Sequence, residues 1–166
     1  MGYIVLRPEE QEFEPPSWRP EEPVRRVVEL PLHARMQHSR AHLWRYPSGA
    51  TGRLHVEHVQ EEVFVVVEGS PAVMLGDPLI RHDAPRGTLV VVEPGTPLKW
   101  FNDSGEDALI FAYGAPAESK AEIPEATSKL PVPNWRVQTS LPAVSYLRTK
   151  ASVRPALDWP GSVPPT

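Results

Sequence analysis

Hydrophobic residues along this chain come in short runs that are separated by turn-forming residues. The runs are "VRRVVELPL" (24–32), "RAHLWRY" (40–46), "GRLHVEHV" (52–59), "EVFVVVEG" (62–69), "PAVMLG" (71–76), "TLVVVEPG" (88–95), "LKWFN" (98–102) and "ALIFAYG" (108–114). Segments such as "PSGATG", "GDPLIRHDAPRG" and "NDSGED" lie between them and are rich in residues that favour turns, so we expect loops there. No long segment keeps apolar residues at the i, i+3, i+4 and i+7 spacing of an amphipathic helix. The pattern predicts eight short strands and an all-β antiparallel sandwich or barrel.

Two of these runs are apolar at consecutive positions rather than at alternate ones. Residues 63–67 read "VFVVV", and residues 89–92 read "LVVV". A strand with one wet face alternates polar and apolar residues, so continuous runs predict cover on both faces. One face is expected to look into the barrel and the other to pack against a terminal arm or a second copy of the chain. A homodimer is the favoured expectation.

The prolines divide the chain into a regular middle and two arms. Of the 21 prolines, most lie before position 48 or after position 115. Proline interrupts helices and cannot donate to the ladder of a central strand. We therefore expect an N-terminal arm at 1–22, a barrel at 23–116 and a Pro-rich C-terminal arm at 117–166. The C-terminal arm carries Trp135, Tyr146 and Trp159, and we expect it to pack on the barrel or on a partner subunit, with a flexible linker as the alternative.

Composition excludes several classes of protein. The formal charge of -4 argues against the excess of basic residues that is typical of nucleic-acid-binding proteins. The absence of cysteine rules out disulfides, thiolate catalysis and Cys-ligated metal sites. No apolar run approaches the roughly 18 residues of a membrane helix, and the opening "MGYIVLRPEE" does not resemble a secretory signal. A cytoplasmic protein without a nucleic-acid or membrane partner is expected.

The segment "HVEHVQEEVFVVVEG" (55–69) places imidazoles and carboxylates directly before an apolar strand. It resembles the first motif of the cupin superfamily: Gly, five residues, His-x-His, three or four residues, Glu, six residues, Gly. Gly49 and His55 match when counted forwards; Gly69, Glu62 and His58 match when counted backwards. The two counts differ by one residue, because this chain has His-x-x-His.

The second cupin motif is also present in part. It runs Gly, five residues, Pro-x-Gly, two residues, His, three residues, Asn. Gly87, Gly95 and Asn102 match it within "GTLVVVEPGTPLKWFN", whereas Leu98 occupies the histidine position. The resemblance spans roughly residues 24–115. It implies a double-stranded β-helix, the RmlC-like jelly-roll barrel, and a metal site from which one ligand is missing.

His55, His58 and Glu62 are the candidate metal ligands, and strand geometry leaves their grouping open. On a regular strand His58 would face the interior with Glu62 while His55 faced away, since side chains alternate. A β-bulge would turn both histidines inward. Such a two-histidine, one-carboxylate set suits iron(II), manganese or zinc. Without the bulge, no metal would be held well.

The strand parities also predict a small-molecule pocket. Leu98, Trp100 and Asn102 are expected to face the interior together with Val56, Phe64 and Val66, which gives a largely apolar pocket. His42 shares a face with Arg40, Trp44 and Tyr46, and would line the same pocket if that face is the inner one.

Three functions remain open at the level of sequence. The favoured one is a metal-free barrel that binds a small molecule, and the next is a metal-dependent enzyme with dioxygenase-, isomerase- or decarboxylase-like chemistry at His55, His58 and Glu62. The third is an assembly module in which the arms act, and removal of residues 117–166 would then change the oligomeric size. The catalytic residues, the reaction and the ligand are not identified.

Overall fold

The computed structural model of the 166-residue chain describes residues 2–117 and 121–122. These residues form the strands β1 (Arg26–Glu29), β2 (Arg40–Tyr46), β3 (His55–Glu57), β4 (Glu61–Glu68), β5 (Ala72–Leu75), β6 (Ile80–Asp83), β7 (Leu89–Val92), β8 (Pro97–Phe101), β9 (Ala108–Ala115) and β10 (Ala121–Glu122). A 3-10 turn lies at Pro8–Glu10, and a one-turn helix, α1 (Leu30–His33), follows β1. Within this part of the chain, none of the helices has the length and apolar character needed to cross a membrane.

The strands form two antiparallel sheets of five strands each. Sheet I has the order β1-β2-β9-β4-β7, and sheet II has the order β10-β3-β8-β5-β6. Neighbours in each sheet are mostly distant in sequence; β4, for example, pairs with β9 and β7. This arrangement confirms the all-β architecture and the double-stranded β-helix that the resemblance implied.

The core lies between the two sheets and is built by alternation. On β4, Glu62, Phe64 and Val66 are buried, while Val63, Val65 and Val67 on the other face are half-buried. Sheet II contributes Val73, Leu98 and Trp100 to the same core. Since every second residue of a strand points to the same face, each sheet supplies one buried row. Glu62 lies at the end of the β4 row, so the core ends in a carboxyl group.

The motif glycines allow the turns that connect the sheets. Gly69 has a φ of 79°, and a Cβ at this position would lie 2.6 Å from the carbonyl oxygen of Asp107. Gly95 has a φ of 83° in the turn between β7 and β8. Residues with a side chain rarely adopt this conformation. These positions therefore require glycine for backbone reasons, independently of any ligand.

The N-terminal segment is attached to sheet I. Glu14 forms an isolated β-bridge with Val27, and the carboxylate of Glu29 accepts hydrogen bonds from the backbone N–H and the hydroxyl of Ser17, at 2.6 and 2.9 Å. These contacts place Trp18 edge-on to the ring of His42 on β2, with ring centroids 5.3 Å apart. Residues of the expected N-terminal arm thus help to form the site described below.

The structure corrects the predicted strands at two places. The strand expected at 24–32 ends at Glu29, and helix α1 begins at Leu30 with a proline in its first turn. Strand β6 lies in "GDPLIRHDAPRG", which the composition indicated as a loop. It is a mostly exposed edge strand, so it lacks the apolar run that identifies a buried strand. The division at 22/23 and 116/117 stays a prediction, and most of residues 117–166 lie outside the described residues.

The outer face of sheet I is not covered by any described residue at its β7 edge. Leu89 and Val91 are 67% and 70% exposed, and they lie opposite the half-buried Val65 and Val63 of β4. The expectation that the 88–92 strand is covered on both faces is therefore not met within residues 2–117 and 121–122. A second copy of the chain or the C-terminal arm as the cover stays a prediction.

Candidate functional site

A cavity of about 330 Å³ opens at one end of the barrel. Its walls come from both sheets and from the N-terminal segment. The lining residues are Trp18, Arg19, Arg25, Arg40, His42, Trp44, Tyr46, Arg53, His55, Glu57, Gln60, Glu62, Phe64, Trp100, Ile110, Ala112, Tyr113 and Gly114. This volume is at the lower end of the range for small-molecule sites. The cavity has a polar end, an aromatic wall and several arginines around it.

The polar end is formed by His55, Glu57 and Glu62. One ligand atom from each residue lies within 4.8 Å of the others, and Nε2 of His55 is 3.8 Å from Oε2 of Glu62. His55 and Glu57 share a face of β3 because they are two residues apart, and β4 brings Glu62 to the same place. One imidazole and two carboxylates are donors that iron(II), manganese and zinc accept. This group could therefore hold a metal ion with open positions.

The fold changes the acidity of Glu62. Burial and the charge of Glu57, partly offset by Arg40, together raise the pKa of Glu62 from 4.5 to about 7. Its Oε2 atom is buried and accepts no hydrogen bond from any described residue. The indole N–H of Trp100 is likewise buried without a described acceptor. A buried polar atom normally has a hydrogen-bond partner, and both residues line the cavity. These two atoms therefore make the cavity a candidate ligand site.

The imidazole of His55 is oriented by the backbone. Its Nδ1 lies 3.2 Å from the carbonyl oxygen of Arg53. Because a carbonyl oxygen only accepts, Nδ1 carries the proton in this contact, and the lone pair of Nε2 faces Glu62. Burial lowers the pKa of His55. The ring is thus held neutral, with Nε2 available as a metal ligand or hydrogen-bond acceptor.

Arg40 and Gln60 hold Glu57 in place. Nη2 of Arg40 donates to Oε1 of Glu57 at 2.9 Å and to Oε1 of Gln60 at 2.7 Å. Gln60 is 1% exposed, and its side-chain amide donates to the carbonyl oxygen of Pro116. A Cβ on Gly114 would collide with the amide of Gln60, so glycine on β9 makes room for this network. The network gives the buried Glu57 carboxylate its countercharge.

The aromatic wall is built by β2 and the N-terminal segment. Trp18 contacts His42 and Trp44 edge-on, at centroid distances of 5.3 and 6.0 Å. Burial and the charge of Arg40, partly offset by Glu29, together lower the pKa of His42 from 6.5 to about 4, so the ring is neutral at physiological pH. Arg25 lies over the face of Trp44, 5.1 Å from the ring centroid. This wall is therefore largely uncharged apart from Arg25.

Arg25 is itself fixed by a buried ion pair. Its Nη2 donates to Glu22 at 2.8 Å, and its Nη1 donates to the hydroxyl of Tyr46 at 3.3 Å. Both charged groups are buried. Because a buried ion pair holds both partners in a defined geometry, Arg25 acts here as part of the wall.

The structure places Glu57, rather than His58, beside His55 and Glu62. His58 is exposed and lies just after β3 ends, so it is outside the group. Strand parity predicted that side chains alternate between the two faces of this segment, and they do. It assigned His58 to the inner face, however, on a regular strand. The inner face belongs to His55 and Glu57, and no bulge is needed to bring His55 inward. Among the described residues, the group close enough to share an ion is therefore His55, Glu57 and Glu62, while the set with His58 stays a prediction.

The predicted pocket residues divide into two groups. His42, Phe64 and Trp100 line the cavity, and the rings of Phe64 and Trp100 are 5.4 Å apart. Val56, Val66, Leu98 and Asn102 are buried but do not line it. Val56 is on the opposite face of β3 from His55, and Val66 is deeper in the core.

Leu98 and Asn102 have structural roles. Leu98 is fully buried and pairs directly opposite His55 across β3 and β8, so an alkyl group lies next to the candidate ligands where a third imidazole would be. The side-chain amide of Asn102 donates to the carbonyl oxygens of Tyr46 and Glu106, at 2.7 Å each. It fixes the loop after β8 instead of facing the cavity.

Sequence reasoning missed Glu57 and Trp18. Glu57 was available from the spacing, because Gly49, His55, Glu57, Glu62 and Gly69 satisfy the whole first motif with four residues before Glu62 and glutamate in the second histidine position. Trp18 carries no such signal. It reaches the cavity only because the N-terminal segment pairs with β1, which is a long-range contact.

Comparison with known proteins identifies the fold family. Residues 42–113 match the family model described as the cupin domain. These residues form a cupin domain. The match contains the candidate metal group as well as β4, β8 and most of β2 and β9. None of the curated proteins compared matches the chain.

Solved structures agree with this cupin fold. A conserved protein from Klebsiella pneumoniae with a double-stranded β-helix domain is 20% identical, covers 75% of this chain and 99% of its own, and gives a TM-score of 0.59. A cupin-superfamily sugar phosphate isomerase from Silicibacter pomeroyi is 18% identical, with coverage of 74% and 82% and a TM-score of 0.61. KdgF from Halomonas sp. is 17% identical, with coverage of 69% and 96% and a TM-score of 0.57. At these identities the likeness extends to the fold alone.

Proposed function

We propose that this cupin domain binds a small organic molecule in the cavity at the end of the barrel. The observation that carries the proposal is the pair of buried polar atoms, Oε2 of Glu62 and Nε1 of Trp100, which have no hydrogen-bond partner among the described residues. Leaving such groups unpaired costs about 1–3 kcal/mol each. A ligand that pairs with both regains this free energy.

The rest of the cavity fits the same role. Phe64, Trp44 and Trp100 supply apolar surface, while His55 and Glu57 supply polar groups beside Glu62. Small-molecule sites commonly combine a mostly apolar wall with a few convergent polar groups. Leu98, which pairs opposite His55 and is buried behind the cavity wall, offers no further metal ligand.

A ligand screen on chelator-treated protein tests this function. A thermal-shift screen of organic acids, alcohols, sugars and aromatic compounds is expected to give stabilising compounds. Glu62→Gln and Trp100→Phe should weaken their binding, because each removes one of the unpaired polar groups and keeps most of the side-chain volume. Glu61→Gln is the matched control, since Glu61 is the exposed neighbour on the same strand. Stabilisers that bind the Glu62 and Trp100 variants as tightly as the wild type would contradict the proposal.

A metal-dependent enzyme is the second candidate, and the geometry of His55, Glu57 and Glu62 favours it. The donor atoms are close enough together to share one ion, and the orientation of His55 leaves Nε2 available. A bound iron, manganese or zinc ion would polarise a carbonyl or hydroxyl group of the substrate. Glu57 would have to share its carboxylate with Arg40, and Leu98 provides no further ligand.

Metal titration separates this candidate from a metal-free site. Chelator-treated protein is titrated with Fe(II), Mn(II) and Zn(II) in a calorimeter, and bound metal is measured by elemental analysis. The candidate predicts one ion per chain, loss of binding in His55→Ala, and unchanged binding in His58→Ala. Equal loss in the two variants would instead support the grouping that includes His58. Wild-type protein that takes up none of the three ions would eliminate the metal-dependent enzyme.

A further inference from the structure

Arginines outnumber glutamates among the residues that line the cavity. Four arginines and two glutamates line it, although the chain carries a formal charge of -4. Charged side chains around a concave site concentrate ligands of the opposite sign. An arginine that no carboxylate of the protein neutralises would therefore attract an anion.

Arg53 differs from the other three arginines. Arg25 is paired with Glu22, and Arg40 with Glu57, whereas Arg19 lies near both Glu21 and Glu22. Arg53 forms no ion pair with any residue in the described part of the chain, is exposed, and lies two residues before His55 on the wall of the cavity. Its guanidinium is thus available to a carboxylate, for which its planar fork of donors is well suited.

The two buried polar atoms without a partner among the described residues, Nε1 of Trp100 and Oε2 of Glu62, suit hydroxyl groups. The indole N–H of Trp100 only donates a hydrogen bond, so its partner must be an acceptor. Glu62 presents a carboxyl oxygen that exchanges a hydrogen bond with a hydroxyl group in either protonation state. Hydroxyl groups of a ligand can serve both residues, because a hydroxyl group accepts and donates hydrogen bonds. Both residues are buried, Trp100 at 3% and Glu62 at 9% exposure.

We infer that the cavity binds a small hydroxylated carboxylic acid, with its carboxylate at Arg53 and a hydroxyl group at Glu62 and Trp100. The inference rests on the proposed small-molecule function and names the chemical class of the ligand. A carboxylate is preferred to a phosphate because a single unpaired guanidinium balances one negative charge, whereas a phosphate monoester carries about -1.5 to -2 near neutral pH.

Matched pairs of compounds test the class. Glycerate, threonate and gluconate are compared with glycerol, threitol and sorbitol, which have the same carbon skeletons without the acid, by calorimetry on the chelator-treated full chain. Hexanoate tests an acid without hydroxyl groups, and sorbitol 6-phosphate tests a phosphate. At least one hydroxy acid is expected to bind about tenfold or more tightly than its neutral partner, and more tightly than hexanoate and sorbitol 6-phosphate.

Substitution of Arg53 tests the placement of the carboxylate. Arg53→Gln should weaken binding of the best hydroxy acid by about tenfold and leave its neutral partner unaffected. Arg86→Gln is the matched control, because Arg86 is exposed and does not line the cavity. Both variants should unfold at the wild-type temperature, since neither arginine is buried.

The results that would overturn the inference are distinct from those that would overturn the proposed function. Polyols that bind as tightly as the acids, a phosphate that binds best, or unchanged acid binding by Arg53→Gln each overturn the inference, while binding in the cavity stands. Absence of binding by all hydroxy acids also overturns it, and the wider screen with Glu62→Gln then decides the proposed function separately.

Discussion

Replacing Glu62 by glutamine should change how stability depends on pH. Burial raises the pKa of Glu62 to about 7 from an ordinary 4.5, and the nearby charge of Glu57 contributes. Between these two values the folded protein binds more protons than the unfolded chain, so stability falls as pH rises through this window and the full loss is present above it. Glutamine does not ionise, so the Glu62→Gln variant should not show this loss.

The size of the effect follows from the pKa difference. At about 1.4 kcal/mol per pKa unit, the complete shift corresponds to about 3 kcal/mol. Between about pH 5 and about pH 8.5, about 2.5 kcal/mol of this should appear as a growing advantage of Glu62→Gln over the wild type. For a chain of this size, that is a relative change in Tm of about 5–10 °C.

Urea unfolding of both proteins with a chelator present, followed by circular dichroism at the two pH values, measures the difference directly. The chelator is needed because a bound cation would favour the ionised carboxylate. Glu61→Gln, made at the exposed neighbour on β4, should follow the wild type at both pH values. If wild type and Glu62→Gln lose stability in parallel as pH rises, Glu62 ionises normally, and the explanation by burial is refuted.

Three further changes test other parts of the structure, each by thermal or urea unfolding. Gly114→Ala should destabilise the protein by about 1–3 kcal/mol, because a Cβ there collides with the Gln60 amide. The control is Gly105→Ala, where the space is open, and its effect should be much smaller. Equal losses of stability in the two variants would contradict this explanation. Leu98→Ala should cost about 2–5 kcal/mol through a cavity in the core, and a loss below about 1 kcal/mol would show that the site collapses or is less well packed. The pKa of His42 is about 4 in the folded protein and 6.5 for an ordinary histidine, so the stability of the wild type should fall as pH drops through this window. Relative to the wild type, His42→Phe should therefore be more stable at about pH 4 than at pH 7, by about 1–3 kcal/mol. Absence of this relative gain would show that the imidazole protonates without penalty.

The sequence by itself determined the fold class and several residues of the site, among them His55 and Glu62. Short apolar runs separated by turn residues predicted the strands, and glycines such as Gly69 and Gly95 anchored the resemblance to cupins. Glycine is required at these positions because their backbone has a positive φ, which residues with a side chain rarely adopt. Strand alternation also placed Phe64 and Trp100 in the interior. These features depend on residues that are close together in the sequence, so they can be predicted without knowledge of the long-range contacts.

Only the tertiary structure decided which groups meet. The choice between the two faces of β3 depended on its pairing with β8, where His55 lies opposite Leu98; a shift of one residue exchanges the faces. For that reason Glu57, and not His58, joins Glu62. The pairing of the N-terminal segment with β1 likewise brought Trp18 to the cavity. Pairing register and long-range docking are set by the summed burial of many residues, so no short motif encodes them.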